Sequence, residues 1–386
     1  MPKILWCGDA ACPTGFARVT HALLDRLKAQ YEVVILGVNY TGNPHDYPYK
    51  IYPAGSKGDQ VGRNRIQEIA LKEQVDLIVL FSDIWIVFDW WQKVQDLNIP
   101  IGVYFPIDGL GFYKQTFDFL SEVSFAATYT QFGTQVIKKS GYQGDIYVLG
   151  HGVDTNIFYQ KSAAQKLKCR EKFGIDPDSF IILQANRNQE RKRLDLTIKI
   201  FAGFLRSQKF NPQIKLHFHC GRKDAGWPIL ALCEREIGPN YTQHVTTTTV
   251  GMSHPDIDPC ELNDIYNTAD LGINTSMGEG AGLVALEMAA VGVPSLLTKY
   301  SANLEFFESA AYLAPVQGYI TDLHFGIERG LIDVEKAITK LITAYKNPSH
   351  RQRLGEIAKM RVVNDPRFSW DELAEQMGLL WGKALY

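Results

Sequence analysis

The string MGEGAGLVALE (residues 277–287) sets Glu279 and Glu287 eight positions apart around Gly278, Gly280 and Gly282. Three glycines ahead of an apolar run let the backbone approach an anion closely. The first N–H groups of a helix beginning near Leu283 would lack partners and carry partial positive charge. The turn therefore reads as a phosphate cradle. Glu279 falls in the loop and Glu287 about one turn inside the helix, its Cβ tilted back toward the N-terminus. A bound diphosphate would repel both carboxylates, which suits them better to accept hydrogen bonds from sugar hydroxyls. The plain alternative makes Glu287 a satisfied helix residue and Glu279 a favourable first-turn charge.

Other segments could serve the same chemistry. ANRNQERKRLDL, after an apolar run, carries Arg187 and Lys192 five apart in a loop, where two cations could neutralise a leaving diphosphate. GDAACPTGFARV puts Gly15 at a strand-to-helix turn, a second site of backbone donors. His151, beside Gly152, falls in the hinge near the expected cleft and could touch donor or acceptor. His217 and His219 alternate on a presumed strand and so share a face, but the adjacent Cys220 would point the other way, so no metal site is expected. The run IWIVFDWW (84–91) could form an aromatic platform for an acceptor, although such runs more often belong to the core.

These candidates need a scaffold, and the hydrophobic pattern supplies one. The chain has 386 residues, which fits two domains better than one core. Short apolar runs (KILWCG, YEVVILGV, VDLIVLFS, IPIGVYF, SFAATYT, DIYVLGHG) alternate with helical stretches such as GFARVTHALLDRLKAQ, NRIQEIALKEQ and TQFGTQVIKKSGY. Alternation of this kind marks βαβ units and a parallel sheet. After a polar segment starting at Gly152 the pattern restarts with FIILQANR, IKLHFHCG, HVTTTTVG, DLGINTS and VPSLLT as strands. The reading is α/β, with two Rossmann-like domains facing each other across a cleft: 1–152, then 153–368, and an amphipathic helix over 369–386.

Composition narrows the class further. Forty basic against 42 acidic residues give a formal charge of -2, so nothing global advertises a nucleic-acid or acidic-lipid partner. The start lacks a signal-peptide pattern, no apolar run reaches the roughly 18 residues of a membrane span, and six scattered cysteines fit reduced thiols; the expected location is the cytoplasm, with peripheral attachment to a membrane left open.

Taken in order along the chain, GHGVDTNIF, ANRNQERK, ELNDIYNTADLGINTS and EGAGLVALEMAAVGVP resemble the successive signatures of family 4, the large family of retaining glycosyltransferases that includes bacterial mannosyltransferases and sucrose synthases. The last of these resembles the family's E-x7-E motif. The resemblance spans roughly residues 140 to 310. It implies a GT-B fold, a nucleotide sugar held by the C-terminal domain, an acceptor held mostly by the N-terminal one, and a last helix packed back on the first domain. By similarity Arg187 and Lys192 hold the donor diphosphate, Glu279 and the amides of Gly280, Ala281, Gly282 and Leu283 hold sugar and phosphate, and Glu287 binds the ribose. Transfer with retained anomeric configuration, by front-face attack and without a metal, is implied as well.

Three departures from the family pattern stand out. PIGVYFPIDG lacks the usual histidine, so Asp108 or a neighbouring backbone group takes over contact with the transferred sugar. Arg193 follows Lys192 where the family commonly has glycine. YSANLEFF replaces the glycine pair before the next glutamate and leaves Glu305 as its counterpart. The expected activity is transfer of a hexose from a UDP-glucose-like or GDP-mannose-like donor to a hydroxyl acceptor, with no cofactor beyond this co-substrate. The acceptor remains open among a sugar, a lipid carrier, a small molecule and a hydroxymethylated DNA base. A nucleotide-sugar-binding subunit without turnover is the alternative from another class.

Overall fold

The computed structural model describes residues 1–55, 58–222, 224–248, 251 and 256–386. The chain divides into two compact units, one of residues 1–152 with 366–386 and the other of residues 153–365.

The first unit is built on β1 (Lys3–Asp9), β2 (Glu32–Val38), β3 (Lys50–Pro53), β4 (Leu77–Phe81), β5 (Ile101–Phe105), β6 (Phe125–Thr128) and β7 (Tyr147–Val148). They form one sheet in the order β3-β2-β1-β4-β5-β6-β7, and every pairing is parallel. Strands β1, β4 and β5 are near-continuously buried, as a sheet covered on both faces requires. Helices α1 (Gly15–Leu27), α2 (Ile66–Glu73), α3 (Ile84–Val94) and α4 (Gln131–Lys139) make crossovers. The aromatic run 84–91 lies in α3 and is core on one side: Val87, Trp90 and Trp91 are buried, and Trp91 meets the ring of Phe119 at 5.3 Å. The apolar pattern gave no sign of β3, because KIYP is short and ends in proline. The strand expected across DIYVLGHG shrinks to two residues.

The second unit repeats the scheme with different elements. Strands β8 (Phe180–Gln184), β9 (Ile214–Phe218), β10 (Val245–Thr247), β11 (Leu271–Asn274), β12 (Ser295–Thr298) and β13 (Tyr312–Ala314) form a parallel sheet ordered β10-β9-β8-β11-β12-β13. The end of the expected strand HVTTTTVG lies outside the described residues. A hairpin of β14 (Val316–Thr321) and β15 (Glu328–Ile332) is antiparallel. Helices α5 (Ala163–Lys172), α6 (Leu194–Ser207), α7 (Ile229–Ile237), α8 (Pro259–Thr268), α9 (Leu283–Ala290), α10 (Ser301–Phe307), α11 (Val334–Lys346) and α12 (Pro348–Asn364) complete it.

The last helix, α13 (Trp370–Leu385), belongs to the first unit and packs on α1. Its Trp381 is fully buried against Tyr31 and Trp6, at 5.1 and 6.2 Å between rings, and the Tyr31 hydroxyl donates to the Gly378 carbonyl at 3.2 Å. All six cysteines are free. Among the described residues no helix is long and apolar enough to cross a membrane.

Sheet order decides where a ligand can sit. In an open parallel sheet the crevice forms where successive connections leave in opposite directions, outside the carboxyl ends of the strands. In the second unit that point lies between β8 and β11, so the loops after them, residues 185–193 and 275–282, converge there. These two loops carry the charged residues and glycines singled out above.

Candidate functional site

Backbone and hydroxyl hydrogen bonds stitch the two loops together. Met277 N–H donates to the Arg191 carbonyl at 2.9 Å, and the Thr275 hydroxyl donates to the Arg193 carbonyl at 2.8 Å. A short helical turn over Glu190–Lys192 then swings both Arg191 and Lys192 toward the glycine loop. Lys192 Nζ donates to both oxygens of Glu279, at 2.6 and 2.7 Å. Arg191 reaches the Gly278 carbonyl at 2.7 Å and Glu279 Oε2 at 3.3 Å, and Asn274 Nδ2 donates to Glu279 Oε1 at 3.0 Å. Glu279 is only 3% exposed. Burial alone would raise its pKa, but the charges of Lys192 and Arg191 outweigh it and hold the carboxyl at about 2.

These bonds spend all four lone-pair directions of the Glu279 carboxylate on Lys192, Arg191 and Asn274. The carboxylate is thus an anchor for two cations. Arg191 had no separate signal in the sequence beyond its place next to Lys192. Arg187, expected beside Lys192, turns instead to Asp224 with a two-point pair at 2.6 and 3.1 Å.

Gly282 is the residue before α9 and takes a left-handed conformation at φ +78°. The backbone N–H groups of Gly280, Ala281, Gly282 and Leu283 donate to no acceptor among the described residues. Four open donors, the positive end of α9 and two cations against one carboxylate give this end of the second unit the groups that an anion requires. Glu287, further along α9 and 3% exposed, accepts from the Tyr266 hydroxyl at 2.7 Å. The YSANLEFF departure forms α10, where Ser301 stands at φ +49° and its Oγ accepts the Glu279 N–H at 2.9 Å. Glu305 is half-buried on α10.

Arg193 also departs from glycine while keeping a glycine-like backbone, at φ +49° and ψ 50°. Its guanidinium pairs with Asp195 at 2.8 and 2.9 Å and lies 5.2 Å from the Trp227 ring, contacts that offset the left-handed strain.

The remaining candidates lie elsewhere. His217 and His219 turn their Nδ1 atoms to the hydroxyls of Thr246 and Thr248, each at 2.7 Å. Burial pushes the His217 pKa down to about 4 and that of the Cys220 thiol up to about 12. Among the described residues no three His, Cys, Asp or Glu side chains are grouped to hold a metal ion.

In the first unit, Gly15 opens α1 behind the capping residue Thr14, which accepts from Ala17 N–H at 3.1 Å and donates to Asp9 at 2.6 Å. Asp108 lies half-buried just past β5. His151 is 5% exposed within an aromatic enclosure of Tyr129, Tyr104 and Trp370, and burial lowers its pKa to about 3. Beyond the carboxyl ends of β1 and β2 a cavity of about 450 Å³ is lined by Ala11, Tyr40, Asn43, Pro44, His45, Asp46 and Tyr47. Tyr47 stacks on His21 with ring centroids 3.9 Å apart.

No protein-family model matches the chain. D-inositol 3-phosphate glycosyltransferase of Thermobispora bispora is 25% identical over 245 residues, which are 62% of this chain and 51% of that protein. The chain spans about half the length of the curated relatives it matches. Sucrose-phosphate synthase from Thermosynechococcus elongatus superposes with a TM-score of 0.74 at 18% identity, covering 99% of this chain and 98% of that one. Anabaena HepE in complex with UDP-glucose gives a TM-score of 0.74 at 14% identity, covering 99% of this chain and 100% of its own. The likeness extends over both units, and the fold is that of the GT-B glycosyltransferases.

Proposed function

We propose that the chain is a retaining glycosyltransferase of the family 4 type, moving a hexose from a nucleotide-diphosphate sugar to a hydroxyl acceptor without a metal. The observation that carries this reading is the set of open amides from Gly280 to Leu283, flanked by Lys192 and Arg191. A diphosphate needs both donors and positive charge, and needs them most as the bond to the sugar breaks. The glycosidic bond from C1 to the phosphate oxygen breaks, the acceptor oxygen bonds C1 on the same face, and the acceptor proton passes to the leaving phosphate. Lys192, Arg191 and the amides stabilise the charge that collects there. Glu279 keeps the cations in position, Glu287 takes the ribose, and Asp108 meets the transferred sugar or acceptor. A fold neighbour solved with UDP-glucose supports the donor class, and relatives named as inositol-phosphate glycosyltransferase support sugar transfer.

For the acceptor, the cavity in the first unit favours an uncharged polyhydroxyl compound. Among the described residues its lining offers Tyr40, Tyr47 and His45 as ring surfaces, Asn43 and Asp46 as hydrogen-bonding groups, and neither lysine nor arginine.

The test is release of nucleoside diphosphate from UDP-glucose and GDP-mannose, with and without sugar acceptors, alongside direct binding of UDP and GDP. Acceptor-dependent release with an α-linked product supports the reading. Failure to bind either nucleoside diphosphate sinks it, and binding without turnover leaves only a nucleotide-sugar-binding protein.

A further inference from the structure

Asn303, on α10, is 1% exposed, and its Oδ1 has no hydrogen-bond partner among the described residues. Buried amide oxygens are nearly always paired, so this one marks a place where a donor from outside the protein completes the site. Its position is fixed by the glycine loop. A methyl group built on Gly282 would lie 3.5 Å from Asn303 Oδ1 and 3.6 Å from Glu279 Cβ. The segment carrying Asn303 is tied to that loop twice, through Ser301 Oγ accepting Glu279 N–H at 2.9 Å and Ala302 N–H donating to the Glu279 carbonyl at 3.4 Å.

We propose that Asn303 binds a hydroxyl of the transferred sugar and so sets donor specificity, an inference that rests on the nucleotide-sugar reading above. The chemistry selects the partner. A phosphate dianion only accepts hydrogen bonds and cannot satisfy a carbonyl oxygen. Turning the amide over replaces the lone acceptor by a lone donor, and a hydroxyl answers either orientation. The neighbouring carboxylate does not compete for this task, because Lys192, Arg191 and Asn274 occupy the lone pairs of Glu279. The ribose belongs to Glu287, further along α9, whereas Asn303 faces the turn at Gly282 where the diphosphate meets the sugar.

The full chain and its Asn303→Ala variant are compared for equilibrium binding of UDP, UDP-glucose, GDP, GDP-mannose and the monodeoxy analogues of the better donor. The variant should bind the nucleotide sugar about tenfold more weakly and the free nucleoside diphosphate within about twofold of the parent. One deoxy analogue should weaken binding by the same factor in the parent and by no further factor in the variant. Its melting temperature should stay level or rise, because an unpaired polar group has been removed; a fall would assign Asn303 a structural role and overturn the proposal. Equal losses for sugar and free nucleotide, no loss for either, or a nucleotide sugar that binds no better than its nucleoside diphosphate would also overturn it. A parent protein that binds no nucleoside diphosphate would overturn the reading beneath it instead.

Discussion

Lys192 Nζ lies 2.6 and 2.7 Å from the two carboxylate oxygens of Glu279, and this buried pair joins the loop after β8 to the loop before α9. The pair has two separable duties. Losing one partner strands a charge in a dry site, a cost of about 3–5 kcal/mol. Glu279→Gln, which leaves the buried Lys192 ammonium without its carboxylate, should lose about that much stability, and Lys192→Met less, because Arg191 at 3.3 Å and Asn274 at 3.0 Å still meet Glu279. The double variant should lose less than their sum, as read by chemical denaturation. The pair also carries an acid signature. The folded carboxyl sits near 2 against an ordinary 4.5, so its stabilisation is complete above pH 4.5 and fades as pH falls toward 2. Turnover separates the partners: Lys192→Met should lose about a hundredfold if the ammonium meets the leaving diphosphate. Near-normal turnover in a folded Lys192→Met protein would reject that role.

Two positions where the family pattern expects glycine hold side chains at positive φ, Arg193 at +49° and Ser301 at +49°. Each side chain has contacts that offset its backbone strain: Arg193 binds Asp195, and Ser301 accepts the Glu279 N–H. Alanine at either site keeps the strain and loses the contact. Arg193→Gly and Ser301→Gly should therefore each be more stable than the matching alanine variant, by about 1 kcal/mol. Equal denaturation midpoints for glycine and alanine would show that φ strain does not matter there.

How much of this was open to sequence reading follows the distance over which each feature is encoded. The glycine loop and the helix after it are local, so Glu279, Gly282 and Glu287 stand out from spacing alone. The partner of each carboxylate is not local: Lys192 and Tyr266 come from other loops and helices, 87 and 21 residues away. Arg187 and Lys192 look equivalent as neighbouring cations in one string, yet the turn at Glu190–Lys192 sends them to different acids. Asn303 sits in the segment that departs most from the family pattern, and only the fold of α10 against Glu279 brings it to Gly282. The alternation of apolar runs gave the parallel sheets, while short strands such as β3 and β13 lacked the length to register.

His151 offers a test of burial that does not depend on activity. Its pKa of about 3 in the folded protein lies well below the ordinary 6.5, because Tyr129, Tyr104 and Trp370 exclude water around it. The unfolded chain takes up a proton near pH 6.5 that the folded chain refuses, so stability falls as pH drops from 6.5 toward 3. His151→Phe keeps a flat ring in the enclosure and removes the titration. Its melting temperature relative to the parent should rise progressively from pH 8 to pH 5; a constant difference across that range would sink the assignment.

The cavity proposed to take the acceptor is testable through its charge. Asp46 is exposed on its lining and no described lysine or arginine accompanies it, so a phosphorylated acceptor bound there would meet repulsion where a neutral sugar would meet hydrogen-bonding groups and the rings of Tyr40 and Tyr47. With one donor held fixed, neutral acceptors should be preferred over their phosphate esters by roughly five- to tenfold in kcat/KM, more at low salt because the charge is exposed. Asp46→Lys should shrink or reverse that ratio. Tyr47→Ala should raise the acceptor KM about fivefold through lost ring contact, with donor binding unchanged. An enzyme that favours phosphate esters, with a ratio indifferent to Asp46→Lys, would place the acceptor outside this cavity.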